Sequence, residues 1–415
     1  MNLRLFTVRQ KFGTPANGAG CSDIEATVAR ETRRSELEKL RPGARIAIAA
    51  GSRGIANIDR IVRAAVECIR AAGGKPFIVP AMGSHGGATA EGQTRVLAGY
   101  GITEETVGAP IVSSMETVRI PAAGLDNKVF MDRAAYEADG IVLVNRIKPH
   151  TDFHGSYESG LVKMAVIGLG KHAGAVELHS FGASGLRELI PLTFRTIAET
   201  GKIMLGLAVV ENACDETAHI EAVPGKRILE REPALLDLAR RNMPRLPAED
   251  IDVLIVDRMG KEISGVGMDT TIIGRIRIRG QEEPASPRIK VITVSGLTSH
   301  SYGNAIGIGL ADVITRRLFD AIDFNAMYVN ARTSRFLERA KVPFVAESDE
   351  DAFAVARSAC GRIVPGAERI VRIRDTLYLA EVQVSEAIYN EIKDKVELVK
   401  KAEEIFDGKG NLIPF

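Results

Sequence analysis

Seven histidines are spread over the 415 residues, and their placement invites a chemical reading. His85 stands in Gly83-Ser84-His85-Gly86-Gly87, just after the apolar run PFIVP (76–80). His150 and His154 stand in KPHTDFHG (148–155), just after GIVLVN (140–145), and His172 and His179 follow in the next segment. Imidazole, with an ordinary pKa of about 6.5, gives or takes a proton at neutral pH. Arg53 stands in Gly51-Ser52-Arg53-Gly54 after RIAIAA (45–50). A guanidinium there suits a carboxylate or phosphate, which it grips through two parallel hydrogen bonds. A lone polar loop residue is usually only solvated. Histidines at two strand ends, with an arginine at a third, strengthen the reading of a shared crevice, because open α/β sheets bind ligands at the carboxyl ends of their strands.

The elements that would carry these residues can be read from the apolar runs. RIAIAA predicts a buried strand, Asn57 a cap, and Ile58, Ile61, Val62, Ala65 and Ile69 one face of a helix closed by Gly73-Gly74. PFIVP predicts the next strand, with a second helix from about Thr89. Further strands are expected at 140–145, 203–210, 251–257, 289–295, 343–347 and 370–374. This alternation predicts an α/β protein of two α/β domains with mostly parallel sheets and the active site in the cleft between them. Two prolines and clustered charge in NMPRLPAED (242–250) put the boundary near Pro247. Residues 1–247 then form a cofactor-binding and catalytic domain and 248–384 a C-terminal α/β domain. The charged segment 385–415 reads as a helix docked back on the first domain.

Composition narrows the function classes. Lys plus Arg number 54 against 53 acidic residues, which leaves no electrostatic footprint for nucleic acid or an anionic membrane. No run approaches the roughly 20 apolar residues of a membrane span, and the N-terminus lacks a signal-peptide pattern. The four cysteines form no CxxC pair, and a reducing cytoplasm is the simplest setting. The expected partner is a small molecule. The oligomeric state is left open, and a homo-oligomer is compatible with the sequence. Ala165–Gly170 followed by Gly174 imitates a dinucleotide fingerprint, but its GxGxxxG spacing is a weak signal.

The stretch KPHTDFHGSYESGLVKMAVIGLGKHAGAVELHS (148–180), with GSRG at 51–54 and GSHGG at 83–87, resembles the nickel-pincer lactate racemase family. The shared order is an Arg after the first strand, a His after the next, a Pro-His pair, a Ser-Gly-x-x-Lys, and a His sixteen residues beyond that Lys. The resemblance extends to MGKEISGVGMD in the second domain. It implies a racemase or epimerase that inverts the carbinol carbon of a 2-hydroxy acid by reversible hydride transfer to a nickel-pincer nucleotide. On this resemblance Lys163 matches a lysine that can be tethered to the cofactor, and His179 matches the nickel ligand. Arg53 matches the substrate-carboxylate arginine, and His85 and His150 match the two acid/base histidines.

Two departures accompany the match. The interval from His150 to Lys163 is longer than in the lactate enzymes, so His154 is an alternative base. A Gln and a Lys that contact substrate in the family fall on Gly274 and Arg277, which leaves Arg277 as the substrate-binding candidate of the second domain. Arg275 and Lys261 are nearby polar alternatives. The redox route avoids removing a weakly acidic α-proton: the planar keto acid takes hydride back on either face, and two bases serve the two hydroxyl directions. The competing readings are a metal-dependent hydrolase built on His85, His150, His154 and His179, which lacks an HExxH pattern, and a non-catalytic cofactor-binding protein. Lactate, malate, aromatic hydroxy acids and sugar acids all carry the same reactive unit.

Overall fold

The computed structural model describes residues 3–12, 21, 23–35, 37, 40–51 and 54–415. Its contacts divide the chain into two units, Gly13–Met243 and a second made of Met1–Phe12 with Pro244–Phe415. Both are α/β with mostly parallel sheets.

The Gly13–Met243 unit is built on five strands in the order Lys75–Pro80, Arg45–Ala50, Gly140–Arg146, Ile203–Glu211 and Thr217–Pro224. The first four run parallel and the last antiparallel. Alternation along these apolar runs feeds two cores. Ile46, Ile48 and Ala50 pack with Ile58, Ile61, Val62, Ala65 and Ile69 of the helix Ile58–Ala71. Ala47, Ala49 and Leu143 pack with Leu161, Val162, Phe194 and Leu235. Burial on both faces explains why these strands read as continuous apolar runs. Gly73, at φ 83°, closes the Ile58–Ala71 helix as expected. Asn57 precedes that helix without capping it. It sits at φ 59° and its amide donates to Thr217 Oγ1 at 3.0 Å.

The other unit carries an eight-stranded sheet. Phe344–Ala346, Val313–Thr315, Arg288–Val294, Asp250–Val256 and Ile370–Ile373 run parallel. Glu381–Val384, Arg4–Gln10 and Val396–Glu404 continue it antiparallel. This corrects the expectation for 385–415. Only Glu386–Ile392 is helical. Val396–Glu404 is an edge strand paired with Arg4–Gln10 in the second unit's own sheet, so neither chain end belongs with the Gly13–Met243 unit. The charges that imitate a helix face are those that edge strands carry to discourage further pairing. No helix among the described residues is long and apolar enough to cross a membrane.

Candidate active site in the Gly13–Met243 unit

Two loops and two helical segments of this unit carry the described candidates His85, His150, His154, Lys163 and His179. His150 and His154 follow the Gly140–Arg146 strand, in a loop whose base is closed by paired backbone bonds between Lys148 and Ser159 at 2.9 and 3.1 Å. The loop is organised by Glu158, whose side chain is fully buried. It accepts the His150 N–H at 2.6 Å, the Gly155 N–H at 3.0 Å and Arg240 Nη2 at 2.6 Å, and it faces His154 Nδ1 at 3.3 Å. Burial alone would raise the Glu158 pKa, but the contacts from His154, His150 and Gly155 outweigh it and hold the carboxyl below its ordinary value. Nothing in the sequence singles out Glu158 except its place four residues after His154.

His150 lies close to Lys163. Its Nδ1 accepts the Asp152 N–H at 3.0 Å, its ring stacks on Phe153 at 4.5 Å between centroids, and its Nε2 is hydrogen-bonded to Lys163 Nζ. Lys163 Nζ also stands 5.9 Å from the Phe153 ring centroid. The structure thus joins His150, rather than His154, to the lysine, while His154 is turned onto Glu158.

Lys163 is held on a short helical turn, Leu161–Lys163, that continues as a π-helix over Met164–Gly168. Asn145 Nδ2 donates to Gly160 O at 2.7 Å, and Glu232 Oε2 accepts the Val162 N–H at 2.9 Å. Gly160 is required by close approach, because a Cβ there would lie 2.4 Å from Glu232 Oε1. Glu232 is buried, and burial pushes its pKa up to about 7 against the N–H bonds of Val162 and Leu161. The GLG that imitates a dinucleotide fingerprint falls at this π-to-α junction and not in a strand-to-helix turn. π-turns of this kind recur at functional sites.

His85 is exposed, in the loop after the Lys75–Pro80 strand. Gly83 N donates to Gly168 O at 3.1 Å, tying this loop to the π-helix that follows Lys163. The N–H groups of Gly83, His85 and Ala88 are used within the fold, which leaves less of the loop to cradle a phosphate than its glycines suggest. His179 is the exposed last residue of the helix Lys171–His179, at the end whose partial negative charge favours a cation. Arg53 lies outside the described residues. The preceding Gly51 is packed so that a Cβ would meet Met164 Cε at 3.1 Å and Asn145 Oδ1 at 3.2 Å, beside the turn that carries Lys163.

Arg277 belongs to the other unit. Its guanidinium donates to Gly309 O at 2.8 Å and to Asp312 Oδ1 at 2.7 Å, and it lines a cavity of about 550 Å³ with Arg279, Asp312 and Lys341. Arg275 and Lys261 are bonded within that unit as well, to Asp312 and to Gly265 O with Asn330. Gly274 has φ 61°, and a Cβ there would meet Pro287 O at 2.1 Å, so the backbone excludes the glutamine that the resemblance would place there. Of the remaining histidines, His172 is exposed, His219 faces Glu221 at 3.2 Å and His300 faces Glu262 at 3.8 Å. Among the described residues no three His, Cys, Asp or Glu are grouped to hold a metal ion.

No protein-family model matches the chain, and no curated protein matches it. Among solved structures, the lactate racemase apoprotein from Thermoanaerobacterium thermosaccharolyticum is similar, with a TM-score of 0.51 over 89% of this chain and 93% of that one. The two sequences are 15% identical, and the likeness is one of fold.

Proposed function

We propose that the chain is an isomerase that inverts the carbinol carbon of a 2-hydroxy acid with a nickel-pincer nucleotide. The observation that carries this reading is the contact of the His150 imidazole with the Lys163 amine, on a loop-and-turn framework bonded to the His85 loop. The fold shared with a lactate racemase apoprotein supports it. The donor set fits the cofactor in kind: an amine at Lys163 for joining an acyl or thioacyl arm, and an imidazole at His179 for nickel.

When bound, the cofactor supplies reversible acceptance of the carbinol hydride. The chain's own residues do the rest. His150, whose Nε2 meets the Lys163 amine in the unloaded protein, exchanges the hydroxyl proton of one enantiomer once that amine is joined to the cofactor arm. His85, exposed at the neighbouring loop, takes the proton of the other. Arg53, by its place in the sequence just after the Arg45–Ala50 strand, grips the substrate carboxylate and keeps the planar keto acid from leaving between the two half reactions.

The test uses protein produced with the cofactor-making enzymes. Intact mass should show a covalent increment that maps to Lys163, and a screen of single enantiomers of chiral 2-hydroxy acids should yield the mirror or epimeric product of at least one. Full nickel loading with no inversion of any acid tested would overturn the isomerase reading. Activity without the increment would remove only the tether.

A further inference from the structure

Three polar side chains with no exposure lie behind the His85 loop: Gln93, Asp132 and Lys171. Lys171 opens the helix that ends in His179 and has φ 53°, a left-handed conformation that is strained for a lysine. Its ammonium donates to Pro80 O at 2.6 Å and to Gln93 Oε1 at 3.0 Å, and stands 3.3 Å from Asp132 Oδ2. Asp132 is held in turn by its Oδ1, which accepts the Ala135 N–H at 2.9 Å. A buried ion pair is seldom the most stable filling of such a space, since apolar groups of the same volume often do as well or better.

What the arrangement provides is direction. An ammonium can only donate, so the Gln93 amide must turn its oxygen towards Lys171. Its NH2 group then points the other way, and both hydrogens go to the catalytic loop: Nε2 donates to Gly83 O at 2.9 Å and to His85 O at 3.3 Å. The loop has little freedom to answer by moving elsewhere. Gly86 and Gly92 are in such close approach that a Cβ on Gly92 would lie 1.8 Å from Gly86 O.

We propose that Lys171 and Gln93 are positioning residues for His85: the buried ammonium fixes the orientation of the Gln93 amide, and the amide fixes the backbone on which the His85 imidazole is carried. The consequence for turnover rests on the isomerase reading, but the positioning itself does not.

The test therefore reads the loop directly, on the full chain without cofactor. Gln93→Met keeps the volume and removes the link. Gln93→Glu, studied at pH 8, keeps an oxygen for Lys171 and offers no N–H to the loop. Histidine side chains labelled at Cε1 are followed by NMR through a pH titration, and amide exchange is followed over 83–89. In both variants the His85 signal should broaden or shift and its titration midpoint should move, while those of His219 and His300 stay in place. Exchange over 83–89 should accelerate roughly tenfold, with the Ile203–Glu211 strand unchanged. An unmoved His85 signal, with or without lost thermal stability, would overturn the proposal. So would protection lost evenly across the unit or failure of both variants to fold, since the amide would then be a general core element. In loaded enzyme, a fall in kcat with KM retained should accompany the displaced signal; if the isomerase reading fails, the NMR result still decides the positioning.

Discussion

Two histidines four residues apart, His150 and His154, meet different chemistry because one buried carboxylate lies between them. Glu158 takes the backbone N–H of the first and the ring of the second, leaving the first ring to meet Lys163. His150→Ala in loaded protein should therefore lower kcat by about 10²–10⁴-fold, the usual contribution of a general acid or base. His154→Ala should act mainly on stability, costing about 1–3 kcal/mol through a weakened partner for buried Glu158, read as a lower Tm with much of the turnover retained. The opposite ranking would make His154 the base. Spacing could not settle this beforehand. The motif order pointed to both rings, but the carboxylate that parts them is an ordinary glutamate in the sequence, and its burial and its bond to Arg240 of the helix Ile228–Asn242 arise only in the folded unit. Lys171 and Gln93 were hidden for the same reason, since a lysine at a helix start and a glutamine inside another helix ordinarily read as surface.

At the scale of elements, the parallel strands and the helix Ile58–Ala71 were legible because each is apolar over a run or on one periodic face. The Arg4–Gln10 and Val396–Glu404 strands were not, because they are mixed with charges and their partners lie far away in the sequence, and Thr217–Pro224, although it only folds back on Ile203–Glu211, has no continuous apolar run. The π-helix was equally hidden, its residues reading as a glycine-rich turn. Its start rests on Glu232, which gives this element a pH dependence. The pKa of this carboxyl is raised in the fold, from 4.5 to about 7, so the folded state binds a proton that the unfolded chain has released. The stabilisation is fully present below about pH 4.5 and is lost as pH rises through about 7, by about 3 kcal/mol at about 1.4 kcal/mol per pH unit. Glu232→Gln keeps an acceptor for the Val162 N–H and removes the titration. The Tm of the parent should thus fall more steeply between pH 5 and pH 8 than that of the variant, and parallel curves would show that Glu232 is not protonated in the fold.

At the scale of the whole molecule, every described residue assigned to acid/base chemistry or the cofactor lies within 13–243, while the first and last strands of the chain are neighbours in the other unit's sheet, Arg4 opposite Glu404. One unit is therefore an insertion between the first strand of the other and the remainder of it. The Arg4–Gln10 strand pairs with Glu381–Val384 and Val396–Glu404, far along the chain, and such distant closure slows folding. The same adjacency means that where the chain begins is arbitrary with respect to the fold. A circularly permuted chain starting at Pro244, with a short linker from Phe415 to the old start and a new end at Met243, would make each unit contiguous. It should fold faster than the parent by stopped-flow refolding and keep the proposed inversion activity, with the His85, His150, Lys163 and His179 segment uncut.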